Sequence, residues 1–265
     1  MVVTLLPPEP VSLPLASDLP GQPGLTLGRR ALGLGGHLGE GGGGQGQGQK
    51  GGGEGQKVLL RAYARRIADY LVHWAEITPD QTFLARRRQL PDGTTGEWQH
   101  ITYAQALESA RSIGQALLDR GLSPERPVVI LSENSLEHAM MALGCLYAGV
   151  PYCPVSPAYA TVSQDYEKLR HVMDTLTPGL VFVADASRYG AGVAATVGLD
   201  VEVVAAVGQM QGRAATSYAS LLATTARPAV DAAMHATGPG TIVKFLFTSG
   251  STKLPKPVIN TQRMW

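Results

Sequence analysis

IVKFLFTSGSTKLPK, Ile242 to Lys256, changes character halfway: a β-branched and aromatic run ends in Thr248, Ser249, Gly250, Ser251 and Thr252, and two lysines, Lys253 and Lys256, follow. Ile242 to Phe247 reads as a buried strand. The four hydroxyls beyond it can donate, Gly250 lets backbone amides approach a ligand closely, and Lys256 adds positive charge. The turn therefore has the make-up of an anion nest, and a phosphate chain suits it. No G-x-x-x-x-G-K-[ST] can be read through the stretch, so it is not a Walker A loop. The competing reading of Phe247 to Lys256 by themselves is an ordinary Ser/Thr turn between strands.

Upstream, strand-like and helix-like segments alternate. A helix is expected from about Leu60 to Ile77, with Ile67, Leu71 and Trp74 on one stripe. Thr82 to Ala85 and Trp98 to Ile101 read as strands about the turn Pro91, Asp92, Gly93. Thr102 with Gln105 three residues on has the spacing of a capping box, Ala106, Ala110, Ile113 and Leu117 form a buried stripe, and Gly121 ends that helix. Pro127 to Ser132 is a strand, and Ser135 to Ala148 a helix stopped by Gly149. After a proline-flanked segment come a helix from Ser163 to Leu176, a strand at Leu180 to Ala184, an Ala-rich helical stretch and a strand at Val201 to Val204. Near-continuous apolar strands separated by amphipathic helices predict an α/β fold, a doubly wound parallel sheet covered on both faces. Ligands of such sheets sit beyond the carboxyl ends of the strands, where the Thr248 turn begins.

The first 57 residues differ. About half of the chain's 32 glycines lie there with few large apolar residues, so residues 1–57 are expected to be a disordered low-complexity segment. Gly39, Gly41 and Gly44 satisfy G-x-G-x-x-G only because any glycine run does, with no strand before and no helix after. The N-terminus lacks a basic region and is broken by prolines, unlike a secretory signal. The longest apolar stretch, Ala139 to Tyr152, is too short for a membrane span.

With 44% apolar residues the chain can build a core, and a formal charge of +1 gives no support to a nucleic-acid or membrane-surface partner. Cys145 and Cys153 lack metal-ligand spacing and read as reduced thiols used for packing, which together with the absent signal points to the cytoplasm. His37, His73, His100, His138, His171 and His235 are scattered and read as surface or satisfied side chains, so no resident metal site is expected. Asp165, Glu167, Lys168, Arg170 and Asp174 read as a solvated helix face held by charge pairs, Arg86 to Arg88 as a solvated strand end, Met140, Met141 and Leu143 as core, and Ser156 with Pro157 as a rigid turn.

FTSGSTKLPK resembles the phosphate-binding signature [YF]-T-S-G-[ST]-T-G-x-P-K of the adenylate-forming superfamily, which includes acyl-CoA synthetases, luciferases and nonribosomal adenylation domains. KFLFTSGST, VINTQRM, RPVVILSENSLEHAMMALGCLYAGVPYCPVSPAY and KLRHVMDTLTPGLVF are similar to the feruloyl-CoA synthase branch, over Leu59 to Trp265. The resemblance implies a partial adenylation domain over residues 58–265. It implies that Thr248, Ser249, Gly250, Ser251 and Thr252 hold the β- and γ-phosphates of ATP, with Lys256 assisting, and that no residue here forms a covalent bond to substrate. ATP with Mg2+, coenzyme A and a small, aromatic carboxylic acid such as ferulate are the implied reactants.

Two positions depart from the pattern. Lys253 stands where the family has glycine, and it either crowds the phosphates and resists positive φ or supplies an extra cation; impairment is the expectation. Pro257 stands where alanine or glycine is common and removes an amide donor as the next strand begins. The chain also ends before the family's later adenine- and acid-binding segments and its C-terminal domain. The chain by itself is therefore expected to be inactive, or at most a weak nucleotide binder or an interaction surface.

Overall fold

The computed structural model describes residues 64–90, 92–248 and 254–264, together with the backbone of Thr4–Leu5. All belong to one compact unit. The glycine-rich segment, Pro91 of the predicted turn, and Ser249 to Lys253 lie outside the described residues.

β1 (Thr4–Leu5), β2 (Thr82–Gln89) and β3 (Thr95–Thr102) form a small antiparallel sheet in the order β1-β2-β3. β2 and β3 run further than their apolar residues suggest. Arg87 pairs with Trp98, and its guanidinium lies over the indole ring 5.2 Å from the centroid, so a polar, solvent-facing stretch is held in register by a cross-strand contact. Arg86 to Arg88 are accordingly interior to β2 rather than at a strand's end. At the turn, Thr94 N–H donates to the Asp92 carboxylate (2.9 Å) and Gly93 takes φ +82°.

The second sheet contains β4 (Val128–Leu131), β5 (Tyr152–Val155), β6 (Leu180–Asp185), β7 (Glu202–Val207), β8 (Thr216–Ser217), β9 (Ile242–Thr248) and β10 (Lys256–Thr261). Their order is β10-β9-β5-β4-β6-β7-β8, parallel throughout except for β10 against β9. Helices cover both faces, as predicted. On one side α1 (Ile67–Ile77), α2 (Tyr103–Asp119), α3 (Leu136–Ala148), α7 (Tyr218–Leu222) and α8 (Pro228–Ala236) pack over Val128, Ile130, Leu180 and Phe182. On the other, α4 (Ala158–Thr161), α5 (Glu167–Leu176) and α6 (Ala186–Thr196) pack over Val129, Leu131, Val181 and Val183. Cys145 lies in the first core and Cys153 in the second, both fully buried, so the sheet separates the two thiols. Burial pushes the Cys153 thiol up to about 12 and that of Cys145 further in the same direction.

Helix ends follow the sequence closely where side chains cap them. Gln105 N–H donates to Thr102 Oγ1 and Thr102 N–H to Gln105 Oε1, closing the predicted capping box, and Gly121 takes φ +63° just past α2. His138 N–H donates to Ser135 Oγ at the start of α3, which Gly149 ends at φ +70°. Elsewhere the ends differ. α1 starts at Ile67, because Arg66 is extended and its N–H is taken by Asp69 Oδ2; Leu60 to Tyr63 of the expected helix lie outside the described residues. α5 starts at Glu167 rather than Ser163, because the Asp165 carboxylate accepts Glu167 N–H and Tyr166 turns to φ +54°. The charged residues of α5 also reach outward: Lys168 lies over the Tyr159 ring and Arg170 donates to Ala195 O, rather than both pairing along the helix.

α2 and α3 cross where Gly114 and Gly144 face each other. A Cβ on Gly144 would stand 2.4 Å from Ile113 Cγ2 and 2.7 Å from Ile113 Cβ. Near this crossing Arg111 donates two hydrogen bonds to Asp231 (2.9 and 2.6 Å), which also accepts from the Tyr147 hydroxyl (2.7 Å), tying α2, α3 and α8 together.

Gly144→Ala should lower stability in denaturant unfolding. Overpacking of about 1–3 kcal/mol outweighs the roughly 1 kcal/mol gained in helix propensity. Asp231 makes a second test. Hydrogen bonds from Arg111 hold its carboxyl below the usual range, against the opposing effect of burial. Its folded value lies under its unfolded value, so the contribution is complete above the unfolded value, about pH 4, and is lost as pH falls through the folded one. Thermal melts between neutral pH and pH 2 should show wild type losing stability more steeply than Asp231→Asn below about pH 4.

Candidate functional site

Because the parallel strands all run one way, the carboxyl ends of β4, β5, β6, β7 and β9 lie along one edge of the sheet. Toward β4, β6 and β7 the polar groups of this edge are paired with one another. Arg188 and Glu133 form an ion pair at 2.7 Å, Ser132 Oγ donates to Glu133 O, Ser187 N–H donates to Asp185 Oδ1, and Gln209 N–H donates to Ser187 Oγ. His138, on the first turn of α3, is kept below its ordinary pKa by burial, with its Nδ1 3.3 Å from Glu133 O.

The β5 and β9 end is different. β9 lies beside β5 and opens after Thr248 into the hydroxyl-rich stretch, and the chain returns as β10, which places Lys256 opposite Thr248. The Thr248 and Lys256 side chains are both exposed, and Thr248 Oγ1 lies 3.5 Å from Lys256 O, the limit of a hydrogen bond. The structure thus brings together the first and last of the predicted phosphate-binding side chains at the two feet of one hairpin. Ser249, Gly250, Ser251, Thr252 and the departure at Lys253 lie outside the described residues.

Pro257 pairs with Phe247 on an edge strand, where a missing amide is tolerated. Ser156 and Pro157 close the carboxyl end of the neighbouring β5 and start α4, with Tyr159 N–H donating to Ser156 O and Ala160 N–H to Pro157 O. Their rigid turn therefore borders the hairpin's side of the sheet.

Register within β9 decides which of its side chains face which core. Asn260 pairs with Lys244 but Thr261 with Ile242, so Val243 is the extra residue of a bulge. The bulge resets the alternation: Val243 enters the first core, while Phe245 and Phe247 pack toward the second. There Phe247 meets His171 of α5 edge-on, and His171 Nε2 lies 3.0 Å from Pro255 O. No local pattern marks His171 out, since its partner stands 84 residues away. Of the other described histidines, His73 stands edge-on to Trp74 and His100 has its Nδ1 3.3 Å from Thr82 Oγ1. Among the described residues no cluster of histidine, cysteine and carboxylate side chains could hold a metal ion, and no helix is long and apolar enough to cross a membrane.

Comparison with known proteins agrees with this geometry. Salicylyl-CoA synthase/salicylate adenylyltransferase of a Streptomyces species is 28% identical over 203 residues, 74% of this chain and 34% of that protein. A mycosubtilin synthase protein of Bacillus subtilis is 27% identical over 190 residues, 71% of this chain but 6% of the synthase protein. The fatty acyl-adenylate ligase from L. pneumophila, solved in complex with acyl adenylate and pyrophosphate, superposes with a TM-score of 0.52 at 20% identity, over 75% of this chain and 31% of the ligase. The chain therefore spans about a third or less of these relatives. The family profile described as AMP-binding enzyme matches residues 71–265, and with the hairpin at the carboxyl end of its parallel sheet the chain belongs to that family.

Proposed function

We propose that residues 58–265 are part of an ATP-dependent acid:CoA ligase and hold the triphosphate of ATP. The observation that carries this reading is the pairing of Thr248 with Lys256 at the foot of a hairpin that leaves the carboxyl end of a parallel strand. Thr248, Ser249, Gly250, Ser251 and Thr252 bind the β- and γ-phosphates, Lys256 adds positive charge, and Mg2+ arrives with ATP. A substrate carboxylate oxygen attacks the α-phosphorus, the bond from that phosphorus to the β-phosphate oxygen breaks, and pyrophosphate leaves. Donors fixed on the departing phosphates stabilise the charge that develops there. The thiol of coenzyme A, giving up its proton, then attacks the acyl carbon of the adenylate, the thioester bond forms, and AMP leaves as the acyl–phosphate bond breaks.

An aromatic acid of the ferulate type is the proposed substrate. The likeness to a salicylyl-CoA synthase supports an aromatic acid, and the similarity of Arg126 to Tyr159 and of Lys168 to Phe182 to the feruloyl-CoA synthase branch supports ferulate. The buried, reduced thiols fit a cytoplasmic enzyme. Lys253 stands where glycine is usual in that signature, and weakened phosphate binding is the proposed consequence.

Calorimetric titration with MgATP should detect binding that Lys256→Ala weakens by about tenfold, the loss of one charge-assisted contact. Ferulate-dependent pyrophosphate exchange should stay at background for the chain alone. Equal ATP affinity in wild type and Lys256→Ala would remove Lys256 from the site, and measurable exchange would refute the need for further residues.

A further inference from the structure

His171 grips the neck of the hairpin from the side. Its Nε2 is 3.0 Å from the Pro255 carbonyl oxygen, and its ring stands edge-on to Phe247, with centroids 6.1 Å apart at 86°. A carbonyl oxygen only accepts, so Nε2 carries the hydrogen. Phe247 immediately precedes Thr248, and Pro255 immediately precedes Lys256. One imidazole therefore touches both arms of the hairpin, each time one residue short of a side chain assigned to the phosphates.

We propose that His171 is a positioning residue that sets the distance and orientation between the two arms of the phosphate hairpin; this rests on the hairpin being the ATP-phosphate site. The support beneath it is rigid. Leu169, Val172 and Met173 bury α5 in the second core, and Arg170 donates to Ala195 O of α6. Left-handed Tyr166 (φ +54°) and Thr177 (φ +42°) bracket the helix. Non-glycine residues persist in that conformation where the surroundings over-determine it, so the phase of α5, and with it the direction of His171, is closely set. The β9 bulge supplies the other half by turning Phe247 to the same face. The hairpin has β5 beside its β9 arm and solvent beside its β10 arm, and His171 gives its neck a second fixed point.

The test uses the full chain with His171→Ala, His171→Gln and His171→Phe. Glutamine keeps an amide donor for Pro255, and phenylalanine keeps the ring but not the donor. MgATP affinity should fall about fivefold to tenfold in the alanine and phenylalanine variants and stay within about twofold of wild type in the glutamine variant. Amide hydrogen exchange, read without nucleotide, should quicken in β9 and β10 in the alanine and phenylalanine variants, return toward wild type with glutamine, and remain unchanged in α2 and β4. Unchanged exchange of β9 and β10 in His171→Ala would overturn the proposal, as would a loss of protection spread over the whole sheet. A wild type that binds no MgATP would refute the ATP reading, while the exchange pattern still decides whether His171 fixes the hairpin.

Discussion

Burial of both faces of the central strands β4 and β6 is the constraint on which the other features rest. Val128 to Leu131 and Leu180 to Val183 are wholly inaccessible to solvent, and successive side chains enter opposite cores. Each such side chain is worth about 1.5–3 kcal/mol when removed from water, so neither face can be left bare. Covering both faces of a parallel sheet demands crossover helices on both sides, and crossovers make the strands point the same way. The edge at which β9 releases the hydroxyl-rich stretch is thus the edge shared by β4, β5, β6 and β7.

Helix placement on the first face depends on close backbone approach. Gly114 and Gly144 let α2 and α3 touch, and the Arg111, Tyr147 and Asp231 network fastens α8 across them. Arg120 donates to both oxygens of Glu202, 2.7 and 3.1 Å, joining the end of α2 to β7. On the second face the contacts come from α5 and α6, and here the bulge at Val243 matters most. Without it Phe247 would face the first core, away from α5.

The edge itself divides into two parts. Near β4 and β6 the polar groups satisfy one another, as Glu133 with Arg188 and Asp185 with Ser187 show. At the β9 and β10 feet, Thr248 and Lys256 turn toward solvent.

Local chemistry is enough to read much of this in the sequence. The Thr102 and Gln105 capping box, the Ser135 cap, Gly149 and the apolar stripe of α2 act within one or two helical turns, so spacing alone reveals them, and the apolar continuity of β4 and β6 discloses a sheet covered twice. What spacing does not show has long-range causes. Val258 and Ile259 of β10 are both exposed and show no buried face, and α8 is held by Val230 and Met234 in the first core as well as by Asp231 meeting Arg111. The later start of α5 is the exception, a local effect: Asp165, just outside the helix, takes the amide of Glu167 two residues on. Which strands are neighbours, that β9 carries a bulge, and that His171 meets Pro255 were settled only when distant segments packed, since each depends on surfaces that exist after the sheet has formed.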